Sequence, residues 1–297
     1  MKKTLLIISA PLIICSLLSC GNDESKTTSV SENKIEIVND SVKIDYTDTG
    51  KGDTVLLFAH GWCINKTYWS DQVNFFKDRY RIVTMDLPGF GESGKNRTNW
   101  TTENYGKDIE AVITQLHLRN VILIGHSMSG DIVLEAATLV PDSIIALVGV
   151  DNFKGVGQTP TKESKAAIDN AIVQLKQNFK KVAFDYCNQY LFSPLTDSLV
   201  RKRVLNDIAN ADSSIAIASM IPGDFDEAAK LRVANKKLYL INSDVTPTDS
   251  TGFVSNKISY SIKYIHGSGH YPMIEQPAAF NAALEEILAD IKKRPIQ

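Results

Sequence analysis

Cysteine is scarce in this chain, with four in 297 residues at positions 15, 20, 63 and 187. A fold held together by disulfides is therefore excluded. No Cys/His cluster has the spacing of a metal site, so neither a metal nor a cofactor is expected. Basic runs are also missing. The formal net charge is −2, and nucleic-acid binding has no electrostatic basis. Long apolar runs are missing too: the main one, Leu5 to Ile14, is too short to span a bilayer, which needs about 20 residues. What the chain has in quantity is ordinary core material. It is 43% hydrophobic and 22% charged, enough for one large α/β core, alone or with a modest lid.

The amino-terminal segment reads as an export signal rather than as part of the fold. Lys2 and Lys3 form a positive start, and an apolar stretch follows. It ends in Leu17-Leu18-Ser19-Cys20, which resembles the bacterial lipobox. By that resemblance residues 1–19 are removed and Cys20 becomes the lipid-modified amino terminus. Losing Lys2 and Lys3 brings the mature chain from −2 to near −4. Residues 20–33 are polar except for Val30 and read as a flexible tether with a reach of roughly 20 Å. The expected location is the bacterial cell envelope, membrane-anchored through the lipid and either periplasmic or surface-exposed. Only Cys63 and Cys187 then remain in the folded part. One disulfide or two buried thiols would both fit.

Beyond the tether, the pattern alternates. Lys34–Asn39 and Val42–Asp48 read as an antiparallel hairpin around Asn39-Asp40-Ser41. Val55–Ala59, Ile82–Met85, Val121–Ile124 and Ile144–Val150 are short apolar runs of the kind buried on both faces. Helical spacing over Lys66–Lys77, Thr102–Leu116 and Met128–Leu139 separates them. This predicts a mostly parallel sheet with right-handed crossovers. Residues 152–232 break the alternation with helical spacing and aromatics, Phe179, Phe184, Tyr186, Tyr190 and Phe192 among them. Strands resume at Leu238–Ile241 and Ser259–Ile265, and a helix over Ala278–Ile291 closes the chain. The core is therefore expected over 34–151 and 233–297. The helical insertion leaves from the carboxyl edge of the sheet, where such sheets bind ligands, and is placed to be a lid.

The chemistry points to Gly125-His126-Ser127-Met128-Ser129-Gly130. A Gly-x-Ser-x-small pattern arises by chance roughly 0.3 times in a chain of this length, so its context matters more than the pattern. It directly follows the apolar run Val121–Ile124 and opens a helix. So tight a strand-to-helix turn lifts the serine above the sheet and aims the helix amino terminus at the reacting carbon. A serine hydroxyl needs a base. Five histidines are available. His117 ends a helical pattern and reads as a surface residue, and His126 should point away from Ser127. His270 lies in Gly267-Ser268-Gly269-His270-Tyr271-Pro272-Met273-Ile274-Glu275-Gln276-Pro277, a loop after the last strand, and is the candidate base.

Four segments now stand in order: His60-Gly61-Trp62, Asp86-Leu87-Pro88-Gly89-Phe90-Gly91-Glu92-Ser93, the serine turn, and the loop around His270. Together they resemble the α/β-hydrolase superfamily over about residues 34–294. The implied fold is a mostly parallel, twisted sheet flanked by helices, with a helical lid insertion. The implied roles are Ser127 as nucleophile and His270 as general base and acid, with the backbone N–H groups of Trp62 and Met128 forming the oxyanion hole. Ser129 stands where the family usually has glycine. In the family the acid generally follows the strand after the lid, which selects Asp244. Asp249, further into that loop, and Asp151, at the end of the strand before the lid, stay open.

A serine nucleophile disfavours the family's epoxide- and halide-displacing chemistry, which generally uses Asp. The expected activity is hydrolysis of a carboxylic ester or related acyl bond of a small-molecule substrate. A cofactor-free perhydrolase or haloperoxidase-like activity is the alternative within enzymes. A catalytically silent binding protein on the same fold is the alternative outside them.

Overall fold

The computed structural model describes residues 35–158, 161–221 and 223–293. The expected export signal and tether, Cys20 included, lie outside the described residues.

The apolar runs become the middle of a seven-stranded sheet. A short hairpin, β1 (Ile37–Asn39) and β2 (Val42–Ile44), precedes it. Next come β3 (Tyr46–Asp48), β4 (Val55–Ala59), α1 (Ser70–Phe76), β5 (Arg81–Met85) and α2 (Thr102–Gln115). β6 (Val121–His126), α3 (Ser129–Leu139) and β7 (Ile144–Val150) follow. The order across the sheet is β3-β5-β4-β6-β7-β8-β9, with β8 (Leu238–Ser243) and β9 (Tyr260–Ile265) last. Only β3 runs antiparallel. Every residue of β4, β6 and β8 is buried, as continuous apolar strands covered on both faces should be.

Between β7 and β8 lie α4 (Lys162–Gln177), α5 (Phe179–Tyr186), α6 (Ser198–Asn210), α7 (Ser213–Ala218) and α8 (Glu227–Ala234). A π-helical turn over Cys187–Leu191 extends α5. Each of the five helices begins at a polar cap, Thr161, Asn178, Asp197, Asp212 and Asp226, whose side chain accepts an N–H from the first turn. Such caps explain why this stretch divides into short helices. After β8 come α9 (Thr251–Ser255), α10 (Pro272–Glu275) and α11 (Pro277–Lys292). Helices α2, α3 and α8 pack as one group, and α1, α10 and α11 as another.

One expected strand is split. Val42–Asp48 breaks at Asp45, so β2 stays in the hairpin while β3 joins the main sheet beside β5. The backbone groups of Asp45 are taken elsewhere: its N–H donates to Ser93 Oγ at 2.8 Å, and its carbonyl accepts the Asp86 N–H at 2.8 Å. Lys66 holds its carboxylate at 2.5 Å. A backbone committed to a neighbouring loop cannot continue a ladder. Two strands run two residues past their expected ends, β6 to His126 and β8 to Ser243. The second extension matters for the site.

Candidate active site

The chain reverses at Ser127. Its φ is +53°, an uncommon conformation for a residue with a Cβ and one held only by its surroundings. The Ser127 N–H donates to Val150 O on β7 at 2.9 Å, and its carbonyl accepts the Gly130 N–H at 2.9 Å. Two residues earlier, strand and helix meet so closely that a Cβ at Gly125 would lie 2.2 Å from Ser129 O. Ser129 fits because it is small, and its hydroxyl donates to His60 O at 2.5 Å. The turn is thereby tied to the loop after β4.

His270 follows β9 and meets Ser127 from above the sheet edge. Ser127 Oγ donates to His270 Nε2 at 2.8 Å, and His270 Nδ1 donates to Asp151 Oδ2 at 2.5 Å. Asp151 directly follows β7. Its N–H is fixed on Ile241 O at 3.1 Å, and its φ is +50°. Its second oxygen, Oδ1, accepts the N–H and the hydroxyl of Ser243, both at 2.8 Å, and faces Lys154 Nζ at 2.9 Å. Burial on its own would raise the Asp151 pKa. The hydrogen bond and charge of His270, with Lys154, outweigh burial and hold the carboxyl well below the usual range. Asp151 is thus ionised and aimed at the imidazole.

The acid expected at Asp244 is corrected by this geometry. Asp244 is exposed; it accepts His266 Nδ1–H at 2.9 Å and the Gly267 N–H at 3.3 Å, and it does not reach His270. The cause is strand alternation. β8 runs on to Ser243, which faces Asp151, and the next residue must point the other way. Asp249 is also apart, accepting Thr251 N–H at 2.9 Å and Gln158 Nε2 at 2.7 Å. Asp151, the last of the three carboxylates considered, is the one that touches the ring.

The loop His60-Gly61-Trp62 lies against the serine. A Cβ at Gly61 would stand 3.1 Å from Ser127 Cβ and 2.5 Å from His126 Nδ1. The amide N–H groups of Trp62 and Met128 find no acceptor among the described residues. The Trp62 indole donates to Ala216 O of α7 at 2.8 Å and meets Phe179 of α5 edge-on at 5.7 Å.

Two further histidines hold the frame. The Leu87 N–H donates to His60 Nε2 at 3.0 Å, so the proton sits on Nδ1, which donates to Gly61 O at 2.8 Å. Burial lowers the His60 pKa, in keeping with that neutral ring. His126 donates from Nε2 to His270 O at 2.7 Å. Burial, followed by the nearby His270 charge, pulls its pKa down to about 3. It therefore stays neutral and braces the base loop. His117 is exposed, as expected.

Cys63 and Cys187 are both buried free thiols. Burial pushes Cys187 up to about 12 and Cys63 well above its ordinary value. A cleft of about 320 Å³ opens between Tyr186, Tyr190 and Leu191 on one side and the ends of β7 and β8 on the other, reaching Asp151 and His270. A larger one, about 610 Å³, lies by Asn120, Asp142 and Ile144 at the start of β6 and β7, far from the serine turn. Among the described residues no cluster of His, Cys, Asp or Glu could hold a metal ion, and no helix is long and apolar enough to cross a membrane.

Sequence reasoning passed over Lys154, Ser243 and the bracing role of His126. Lys154 and Ser243 carry no motif. Only the spacing of Lys154, three residues after Asp151 in a loop at the sheet edge, was open to notice.

The alpha/beta hydrolase fold family matches residues 54–234. Among sequence relatives, the AB hydrolase superfamily protein YisY of Bacillus subtilis is 28% identical over 252 residues, covering 80% of this chain and 92% of that protein. The non-heme chloroperoxidase CPO-A1 of Kitasatospora aureofaciens is 26% identical over 257 residues, covering 78% of this chain and 90% of its own. Among solved structures, an esterase from Exiguobacterium antarcticum has a TM-score of 0.74 at 23% identity, covering 87% of this chain and 98% of that one. A bromoperoxidase from Bacillus anthracis has a TM-score of 0.73 at 22% identity, covering 86% and 98%. At these identities the structural likeness speaks for the fold alone.

Proposed function

The chain belongs to the alpha/beta hydrolase family and is an enzyme, and from that premise we propose that it is a serine hydrolase cleaving carboxylic esters or related acyl bonds. The carrying observation is the unbroken hydrogen-bonded run from Ser127 Oγ through His270 to Asp151, at 2.8 and 2.5 Å. In this reading Ser127 Oγ attacks the acyl carbon while its proton passes to His270 Nε2. Asp151 fixes the ring tautomer and stabilises the imidazolium. The carbonyl oxygen takes up negative charge opposite the Trp62 and Met128 N–H groups, whose lack of a protein acceptor suits that task. His270 returns its proton to the leaving oxygen, whose bond to carbon breaks. A water then gives its proton to His270 and its oxygen to the acyl carbon, releasing the acid and restoring Ser127.

Ser127→Ala should abolish ester hydrolysis, with a loss of about 10⁴-fold or more in kcat, in a protein that still folds. A fluorophosphonate should label the parent at Ser127 and leave the variant unlabelled. Full activity in Ser127→Ala would remove the mechanism.

A second reading is favoured by the chloroperoxidase among the sequence relatives. Here hydrogen peroxide replaces water at the acyl-enzyme and gives a peracid instead of the acid. Measuring the ratio of peracid to acid released at equal acyl-enzyme flux separates the two.

Helices α4–α8 are read as a lid because the insertion leaves β7 at the edge of the sheet that carries Ser127 and His270, before the chain crosses to the opposite edge to enter β8. Lipid attachment at Cys20, and with it a place at the bacterial cell envelope, is supported by the Leu17-Leu18-Ser19-Cys20 pattern. Mass spectrometry of protein from native membranes tests it, and an unmodified amino terminus at another position rejects it.

A further inference from the structure

The loop around His270 contains one acidic residue that the mechanism above does not use. Glu275 reaches back from the end of α10. Its Oε1 accepts the Tyr271 N–H at 3.0 Å, and its Oε2 accepts the Gly269 N–H at 2.9 Å. The two peptide N–H groups flanking His270 are thus held by a single carboxylate. Oε2 also accepts the Thr196 hydroxyl at 2.6 Å, which comes from the helical segment. Holding the Tyr271 N–H alone would be an ordinary helix-capping contact. Gly269 and Thr196 lie outside any such cap.

The rest of the base loop is fastened in the same manner. The His270 N–H donates to Leu191 O at 2.7 Å, and its carbonyl accepts His126 Nε2–H at 2.7 Å. Ser193 Oγ donates to Gly267 O at 2.8 Å. The turn carrying Ser193 and Thr196 is itself held by Arg201, which donates to Ser193 O at 2.5 Å and Thr196 O at 3.2 Å. Position matters here because the imidazole must meet Ser127 and Asp151 at once, and a displacement of about 1 Å can cost 10²-fold in rate.

We infer that Glu275 is a positioning residue for the base: it brackets His270 through the Gly269 and Tyr271 N–H groups and, through Thr196, locks that loop to the helical segment. The inference rests on His270 being the base. It makes the stretch around Thr196 a fixed support of the chemistry and not a freely swinging cover.

Glu275→Gln tests it. The amide has one acceptor oxygen for three donors and turns an N–H₂ toward a peptide N–H, so the bracket fails without loss of side-chain volume. The expected result is a fall in kcat of about 10- to 100-fold, with KM changed by less than about 3-fold and cooperative unfolding retained. The second readout needs no substrate. The strongly downfield proton resonance of His270 Nδ1–H on Asp151 should be present in the parent and broadened or lost in the variant. Glu275→Asp, which keeps the charge but falls one methylene short, should move both readouts in the same direction, and it decides the matter should Glu275→Gln not fold. An unchanged resonance with unchanged kcat in a folded variant, or a melting temperature that drops alone, overturns the inference. A parent that shows the resonance but no acyl chemistry removes the proposed function and leaves the positioning role standing.

Discussion

At the scale of single residues, the identity of the acid turns on which way a side chain faces. Asp244 and Ser243 are adjacent, and only one of them can face the site at the end of an extended strand. Ser243 does, and it spends both its N–H and its hydroxyl on Asp151 Oδ1. Asp151 is therefore held in place by groups that also stabilise its charge. Asp151→Asn should lower kcat by up to about 10⁴-fold, because the amide favours the wrong tautomer of His270. Asp244→Asn should stay within a few-fold of the parent, since it removes only an exposed contact with His266 and Gly267, and surface pairs contribute little. Steady-state rates on one activated ester decide between them, and the reverse pattern would restore Asp244. The motif around Ser127 and the glycines before His270 made those two residues legible from sequence. Asp151 was one of three candidates because nothing local separates a strand-ending Asp that touches a histidine from one that does not.

Secondary-structure elements bring a second set of charges together. Asp131 in the first turn of α3 and Glu227 in the first turn of α8 share an environment between two packed helices. Burial raises both carboxyl pKa values, and the charge of Asp131 raises Glu227 further. Glu135 and Lys230 are ion-paired across the same two helices. Asp226, whose side chain caps α8, adds a further negative charge near Glu227. The sign of the pH effect follows. Below the ordinary Glu value of about 4.3, folded and unfolded chains are both protonated. As pH rises past it, the unfolded chain releases a proton that the folded pair keeps. The folded state binds more protons, so stability falls with rising pH until the raised folded value is passed. Glu227→Gln keeps a neutral partner for Asp131 and removes the Glu227 share of this slope. Its melting temperature should exceed the parent's by about 2–4 °C at pH 8, the size of a 1 kcal/mol effect, and match it near pH 4. Thermal melts at both pH values check this, and an equal difference at both would refute it. Helical spacing made the segment legible as helices, but no pattern in either segment announced that α3 and α8 would meet through two acids.

For the molecule as a whole, the question is what the helical segment does to substrates. It touches the His60-Gly61-Trp62 loop through the Trp62 indole on Ala216 O and through Phe179, and it touches the loop around His270 through Leu191 and Thr196. Tyr186 and Tyr190 line the cleft that reaches His270. The aromatic residues are not equivalent. Phe192 is buried against Tyr271, so Phe192→Ala should mainly destabilise, by about 3–5 kcal/mol if the site does not collapse. Phe179→Ala and Tyr186→Ala should instead change the ranking of p-nitrophenyl esters by acyl chain length. A ranking that stays the same in both, with only stability lost, would make the segment an elaboration and remove the lid reading.

The sequence by itself determined the buried strands, their alternation with helices, the serine turn and the base loop. Each of these is written in local form: a run of apolar residues, a period, a glycine where backbones collide, a cap at a helix start. The pairing of Asp151 with His270, the bracket of Glu275, the break at Asp45 and the meeting of Asp131 with Glu227 were decided only by the tertiary structure. Most of the partners stand far apart in the chain, 119 residues for Asp151 and His270 and 79 for Thr196 and Glu275, although the two N–H groups that Glu275 brackets are only six and four residues away. Each contact depends on register, on the face a side chain presents and on which backbone groups are already taken. Those are properties of the assembled sheet edge, and no short stretch of residues holds them.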